Sequence, residues 1–241
     1  MITDKVKLYN LQNDSRLNLK AVFFDMDGVL FDSMAYHAQA WVYAMQTAGV
    51  PFTPYDVYMN EGRTGADTIN TAFLDTFDRE ATEEECREIY RLKSAKFDEI
   101  GKQTPMANVY DLLKKIKAEG LSIYVVTGSA QRSLLDNLNH YFPDIFDNDR
   151  IVSAFDVTRG KPHPEPYLKA LEKAKLQPFE AAVIENAPLG VESARAAGIF
   201  TIAVNTGILE EFVLESAGAN AVFPNMEKLN RKWDEFYEYV M

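Results

Sequence analysis

Six short apolar runs punctuate the 241-residue chain: Leu19–Phe24, Ser122–Val126, Ile151–Val152, Ala181–Ile184, Thr201–Val204 and Ala221–Phe223. Segments of helical periodicity lie between most of them. Runs that are nearly continuously apolar, rather than alternating, belong to strands buried on both faces. Strands that alternate with helices make a parallel sheet covered on both sides. The chain is therefore read as α/β, a doubly wound parallel sheet. Two helix ends are legible as well: Gly120 closes "VYDLLKKIKAEG" and Gly198 closes "LGVESARAAG", both as left-handed caps.

One stretch breaks the alternation. From about His37 to Thr104 no strand run occurs, only helical pattern. Within it, "ATEEECREIYRLKSAKFDEI" opens with Thr82 and Glu85 at capping-box spacing. The expectation is a small α-helical domain of residues 37–104, inserted into a core formed by 1–36 and 105–241. The tail "RKWDEFYEYVM" reads as a final amphipathic helix against the sheet.

Charge narrows the partners. A formal net charge of −11 argues against nucleic acid and anionic membrane. No run approaches the ~18 apolar residues of a membrane span. The first twenty residues, "MITDKVKLYNLQNDSRLNLK", contain no apolar signal core, so the cytoplasm is expected. A single cysteine, Cys86, excludes an internal disulfide and a multi-cysteine metal site, and reads as a semi-buried structural thiol.

In a parallel sheet, ligands bind beyond the carboxyl ends of the strands. The polar residues that directly follow the apolar runs are therefore the informative ones. "AVFFDMDGVLFDS" supplies Asp25 and Asp27, "IYVVTGS" supplies Thr127, Gly128 and Ser129, "TRGKPHPEPY" supplies Lys161, and "AAVIENAPLG" supplies Glu185 and Asn186. Two carboxylates as near as Asp25 and Asp27 raise each other's pKa unless a cation sits between them. A calcium loop counted from Asp25 fails, because glycine falls at its fourth place and Tyr36 at its twelfth. Each motif alone is common; all of them at successive strand ends are not.

The set Asp25-x-Asp27-Gly28-Val29, Thr127, Lys161 and Glu185-Asn186 resembles the motifs of the haloacid dehalogenase superfamily. The helical insert resembles the cap of its β-phosphoglucomutase-like branch. The resemblance runs from about Lys20 to the end and implies phosphoryl transfer with Mg²⁺. It implies Asp25 as nucleophile and metal ligand, and Asp27 as general acid and base whose carbonyl also binds the metal. Thr127, Gly128 and Ser129 would hold the phosphoryl oxygens, Lys161 would neutralise their charge, and Glu185 and Asn186 would bind the metal. Each residue has chemistry suited to that role.

Two departures refine the expectation. Most relatives carry Glu-Asp where this chain has Glu185-Asn186, which removes a negative charge. In "MNEGRTGADTI" the mutase lysine before the loop glycine is Glu61 and the following arginine is Gly65, with Arg63 out of register. Glu61 is therefore expected to reach the metal and replace the missing charge. The combination of Glu61 and Asn186 resembles bacterial inorganic pyrophosphatases of this superfamily. A small, metal-chelating substrate follows, pyrophosphate first, with β-phosphoglucomutase or a phosphatase of small sugar phosphates or phosphoglycolate as the alternative. A non-catalytic phosphate binder is disfavoured by Asp25, Asp27, Thr127 and Lys161. His37, Trp41 and Lys93 match cap positions near substrate in the mutases, with Trp41 read chiefly as core. A monomer or weak dimer is expected.

Overall fold

The structure, a computed structural model, describes residues 1–101, 104–129, 132–146 and 148–241, with backbone alone for 132–136 and 148. The chain starts with α1 (Ile2–Asn13) and enters β1 (Ala21–Phe24). Four helices follow in succession: α2 (Met34–Thr47), α3 (Pro54–Met59), α4 (Gly65–Phe77) and α5 (Glu83–Ile100). Alternation then takes over with α6 (Val109–Ala118), β2 (Ser122–Val126), α7 (Arg132–Tyr141) and β3 (Ile151–Val152). It continues with α8 (Glu165–Ala174), β4 (Ala181–Glu185), α9 (Pro188–Ala196), β5 (Phe200–Val204), α10 (Glu211–Ser216), β6 (Ala221–Phe223) and α11 (Met226–Val240).

Every strand pair is parallel, in the order β3-β2-β1-β4-β5-β6. The chain winds outward from β1 to β3, crosses back to β4, and winds outward again to β6. The reversal falls between β1 and β4, the place where open α/β sheets bind ligands. All six expected strands are present. Leu19 and Lys20 fall outside β1; the Lys20 amide instead donates to the Glu180 carbonyl at 2.8 Å.

Both faces of the sheet are covered, which is why its strands read as continuous apolar runs. Val22 and Phe24 face the cluster built with α1, α6 and α11, while Ala21 and Phe23 face the one built with α8 and α9. The C-terminal helix lies where its pattern places it. Phe236 is fully buried and stacks on Phe200 at 5.5 Å, which contributes on the order of 2–3 kcal/mol by burial alone. Gly120 and Gly198 both have φ of +79°, as expected of left-handed caps.

Helices α2, α3, α4 and α5 pack on one another around Trp41, Val57, Ile69, Phe73 and Ile89, joined by Leu209 from the segment after β5. The capping box of α5 is formed, with Glu85 N to Thr82 Oγ1 at 3.2 Å and Thr82 N to Glu85 Oε2 at 2.7 Å. Cys86 is partly buried, its Sγ 3.8 Å from Asn70 Oδ1. Among the described residues no helix is long and apolar enough to cross a membrane.

Candidate active site

The site begins where β1 runs out. The Asp25 amide still bonds the β4 carbonyl of Ile184 at 3.0 Å, and then the chain turns, with Leu30 N and Phe31 N both donating to Met26 O at 2.9 and 3.0 Å. Gly28 makes this turn at φ +80°, and a Cβ there would lie 2.0 Å from Asn186 Nδ2. Glycine thus serves twice, for the backbone conformation and for the approach of Asn186 from the end of β4.

Lys161, from the loop before α8, ties two carboxylates together. Its Nζ donates to Asp25 Oδ1 at 2.6 Å, to Glu185 Oε1 at 2.6 Å and to the Val126 carbonyl at 3.1 Å, all buried. Tyr167 Oη also donates to Glu185 Oε1, at 2.7 Å, and the amides of Asn186 and Ala187 donate to Oε2 at 3.0 and 3.4 Å. Glu185, expected beside Asn186 as a metal ligand, here has both oxygens taken by the protein. The geometry makes it the partner that fixes Lys161. Burial opposes the charge of Lys161, but Asp25 and Glu185 outweigh it and hold the ammonium well above its usual range. Burial pushes Asp25 up to about 8, against Lys161 and with help from Glu185 and Asp27.

Asp27 is held by the helical insert. Ser33 Oγ donates to Asp27 Oδ1 at 2.5 Å, and His37 Nε2 lies 3.1 Å from the same oxygen. Ser33 occupies the N-cap position of α2 but makes no side-chain capping bond. Its hydroxyl serves the site instead. On the far side of the imidazole, Lys93 Nζ lies 3.1 Å from His37 Nδ1. An ammonium only donates, so Nδ1 accepts and the neutral ring presents Nε2–H to Asp27. Lys93 belongs to the buried stripe Ile89, Lys93, Phe97 of α5 and is surrounded by the rings of Trp41, Tyr90 and Phe97 at 5.6, 5.9 and 5.1 Å. Phe97 also stacks on His37 at 4.2 Å. Burial lowers the pKa of both Lys93 and His37. For Asp27 burial acts upward, yet His37, Ser33 and Lys93 prevail and keep the carboxyl below its usual range.

Glu61, in the loop between α3 and α4, lines one cavity of about 50 Å³ together with Asp27, His37, Lys93, Thr127, Gly128 and Ser129. Burial raises its pKa well above the ordinary value, and the charges of Asp27 and Asp25 raise it further. Arg63 lines the same cavity, with its Nε donating to Asn60 Oδ1 at 3.0 Å. At the end of β2 the Ser129 amide donates to Thr127 Oγ1 at 3.1 Å. The site residues expected from sequence are thus assembled around the ends of β1, β2 and β4, with the insert closing over them.

Two oxygens mark where a cation fits. Asp25 Oδ2 and Asn186 Oδ1 are buried without a hydrogen-bond partner among the described residues. Leaving such an acceptor unsatisfied costs about 1–3 kcal/mol, a cost that coordination would remove. No group of three or more His, Cys, Asp or Glu side chains is arranged to hold a metal among the described residues. The donors that remain are one carboxylate, one amide oxygen and backbone carbonyls, a set of hard oxygens suited to Mg²⁺.

Sequence reading passes over Ser33, Phe97 and Tyr167. Tyr167 sits in "PEPY", six residues after Lys161, and Ser33 ends the opening motif, but their partners are set by the fold. The spacing of Ile89, Lys93 and Phe97 does place a lysine on an apolar stripe, and that was the available signal.

Comparison with known proteins agrees with the geometry. The model of the haloacid dehalogenase-like hydrolase family matches residues 22–204. A "Phosphorylated carbohydrates phosphatase" of Thermotoga maritima is 30% identical over 227 residues, covering 88% of this chain and 97% of that protein. A "Putative pyrophosphatase PpaX" of Caldanaerobacter subterraneus subsp. tengcongensis is 29% identical over 200 residues, covering 80% and 84%. A solved structure titled "Putative beta-phosphoglucomutase from Bacteroides vulgatus" is 48% identical and superposes with a TM-score of 0.96 over 99% of this chain and 98% of that one. With its strand-end motifs gathered at the sheet reversal and the family match spanning most of its length, the chain belongs to the haloacid dehalogenase-like hydrolases and is a phosphatase-type enzyme.

Proposed function

We propose that the enzyme is a Mg²⁺-dependent phosphohydrolase that works through an aspartyl phosphate on Asp25 and takes inorganic pyrophosphate as substrate. It would act in the cytoplasm as a monomer or weak dimer. The observation that carries this reading is the position of Glu61, an acid sharing a cavity of about 50 Å³ with the phosphate-binding turn Thr127–Ser129. An acid facing a phosphate is repulsive unless a cation lies between them. Around this point four carboxyl groups, those of Asp25, Asp27, Glu185 and Glu61, face three cationic side chains, Lys161, Lys93 and Arg63. A divalent cation balances that excess.

Asp25, Asn186 and the Asp27 carbonyl would hold Mg²⁺, with Glu61 completing the set from the insert. When bound, the ion neutralises phosphate oxygens and stabilises the charge of the transferring group. In the first step an Asp25 carboxylate oxygen bonds to phosphorus as the bond to the leaving phosphate breaks, and Asp27, ionised before substrate binds, takes a proton from the incoming protonated pyrophosphate and delivers it to the leaving oxygen. In the second step Asp27 takes a proton from water, which attacks phosphorus and releases Asp25. Lys161 neutralises the charge on the phosphoryl oxygens, while His37 and Ser33 hold the Asp27 carboxyl in line.

The acid Glu61 beside the Thr127–Ser129 turn favours a compact substrate that binds through a cation, which supports pyrophosphate. A second reading, a sugar-phosphate phosphatase or a β-phosphoglucomutase, draws on relatives whose names carry those activities. A phosphate-release screen with Mg²⁺ separates them. Pyrophosphate is expected to exceed phosphoglycolate and hexose phosphates by at least about tenfold in kcat/KM. Equal rates would leave only a general phosphatase, and conversion of β-glucose 1-phosphate to the 6-phosphate would favour the mutase.

A further inference from the structure

The loop that carries Glu61 is braced within itself. The Arg63 amide donates to the Asn60 carbonyl at 3.3 Å, Arg63 Nε donates to Asn60 Oδ1 at 3.0 Å, and Asn60 Nδ2 donates to the Asp56 carbonyl at 2.9 Å. At its other end Thr64 caps α4, its Oγ1 accepting from the Asp67 amide at 3.2 Å. A loop tied in this way moves with its two helices. Where Glu61 stands is therefore decided by where the loop lands on the sheet domain.

The landing is made of two glycines, Gly128 and Gly160. Neither has the positive φ that makes glycine a backbone necessity. What excludes a side chain is the insert. Chain neighbours aside, a Cβ on Gly160 would meet Thr64 Cγ2 at 2.9 Å, Thr64 N at 3.3 Å and Gly62 O at 3.8 Å. A Cβ on Gly128 would meet Gly62 O at 2.7 Å, Gly62 C at 3.2 Å and Arg63 O at 3.3 Å. All of these atoms belong to the Glu61 loop. The three nearest atoms to each Cβ thus all come from the insert.

We infer that Gly160 is a positioning residue for catalysis: it is the bare seat on which Thr64 lands, and it thereby sets the depth at which Glu61 enters the site. Gly128 shares the landing but also lies in the phosphate-binding turn, so Gly160 is the cleaner probe. A methyl at Gly160 lifts the loop by several tenths of an ångström, since the Thr64 methyl has to retreat to ordinary contact distance. Glu61 moves with it. The inference rests on the proposed role of Glu61, so its test carries a readout that needs no substrate.

The experiment compares wild type, Gly160→Ala and the double variant Gly160→Ala/Thr64→Ser. Serine keeps the capping hydroxyl of α4 and removes the one methyl that meets the new Cβ. Two quantities are measured: kcat/KM for Mg²⁺-dependent pyrophosphate hydrolysis, and amide hydrogen exchange over residues 60–66 in the protein alone. The single variant is expected to lose about tenfold in kcat/KM and to exchange faster in that segment, and the double variant to recover most of both. If Gly160→Ala exchanges as wild type does, or if Thr64→Ser restores neither quantity, Gly160 is not the seat. A wild-type enzyme inert toward pyrophosphate would sink the substrate proposal, and the exchange data alone would then decide this one.

Discussion

Lys93 and Asp27 never touch, yet one imidazole joins them: Lys93 Nζ lies 3.1 Å from His37 Nδ1, and His37 Nε2 lies 3.1 Å from Asp27 Oδ1. The lysine comes from α5 and the aspartate from the end of β1, so the insert helps to set Asp27, the proposed proton carrier. Lys93→Met is expected to lower kcat by about 10–100-fold, because the ring loses the donor that fixes its tautomer. Tm is expected to hold or rise, since a buried ammonium is exchanged for an apolar side chain of similar length. A fall in Tm with activity retained would make Lys93 a structural residue.

Asp25→Asn is expected to reduce phosphate release by at least about 10³-fold, because an amide cannot form the acyl phosphate. The variant should remain folded by circular dichroism, as burial favours a neutral group at this position. Measurable turnover at a tenth of the wild-type rate would contradict the assignment of the nucleophile.

Glu61→Ala should harm pyrophosphate hydrolysis more than hydrolysis of a bulky aryl phosphate. A metal-side carboxylate matters most for the substrate that itself chelates the metal. Steady-state kinetics on both substrates provide the check; equal losses would remove the case for Glu61 at the cation.

Tyr167→Phe removes the 2.7 Å hydrogen bond to Glu185 Oε1, in a pocket where both residues are fully buried. The expected cost is about 1–3 kcal/mol in urea unfolding, that of leaving a buried carboxylate short of a donor. An unchanged unfolding midpoint would show that Lys161 and the two backbone amides satisfy Glu185 without it.

Hydrogen bonds from Arg79, at 2.7 and 2.9 Å, and from the Thr82 amide hold Glu85 at about 2 instead of the ordinary 4.5. A depressed carboxyl stabilises the fold above its unfolded value, and that stability is lost as pH falls through the folded value. Glu85→Gln should therefore be less stable than wild type at about pH 6, and the difference should vanish as pH falls from 4.5 toward 2. Urea titrations at a series of pH values measure it; a constant difference would show that the capping geometry, not the charge, carries the effect.

What could be seen in the sequence was local. A strand that ends in Asp25 and Asp27, the left-handed caps at Gly120 and Gly198, and a helix box from Thr82 to Glu85 are fixed by residues a few positions apart. Side chains set by distant packing were out of reach: Ser33 gives up its capping role for Asp27, and Tyr167 reaches from α8 to Glu185 at the end of β4. Glu185 shows the limit best. Its place beside Asn186 suggested a metal ligand, whereas its oxygens are committed to Lys161, Tyr167 and two backbone amides. Gly160 reads as an ordinary loop residue until the insert is laid against it.

Chemical trapping tests the central claim most directly. Enzyme turning over pyrophosphate with Mg²⁺ is quenched in acid and reduced with borohydride, which converts an acyl phosphate to the alcohol. Peptide mass spectrometry should then find homoserine at residue 25. Brisk turnover with Asp25 unmodified, or with the modification at Asp27, would contradict it.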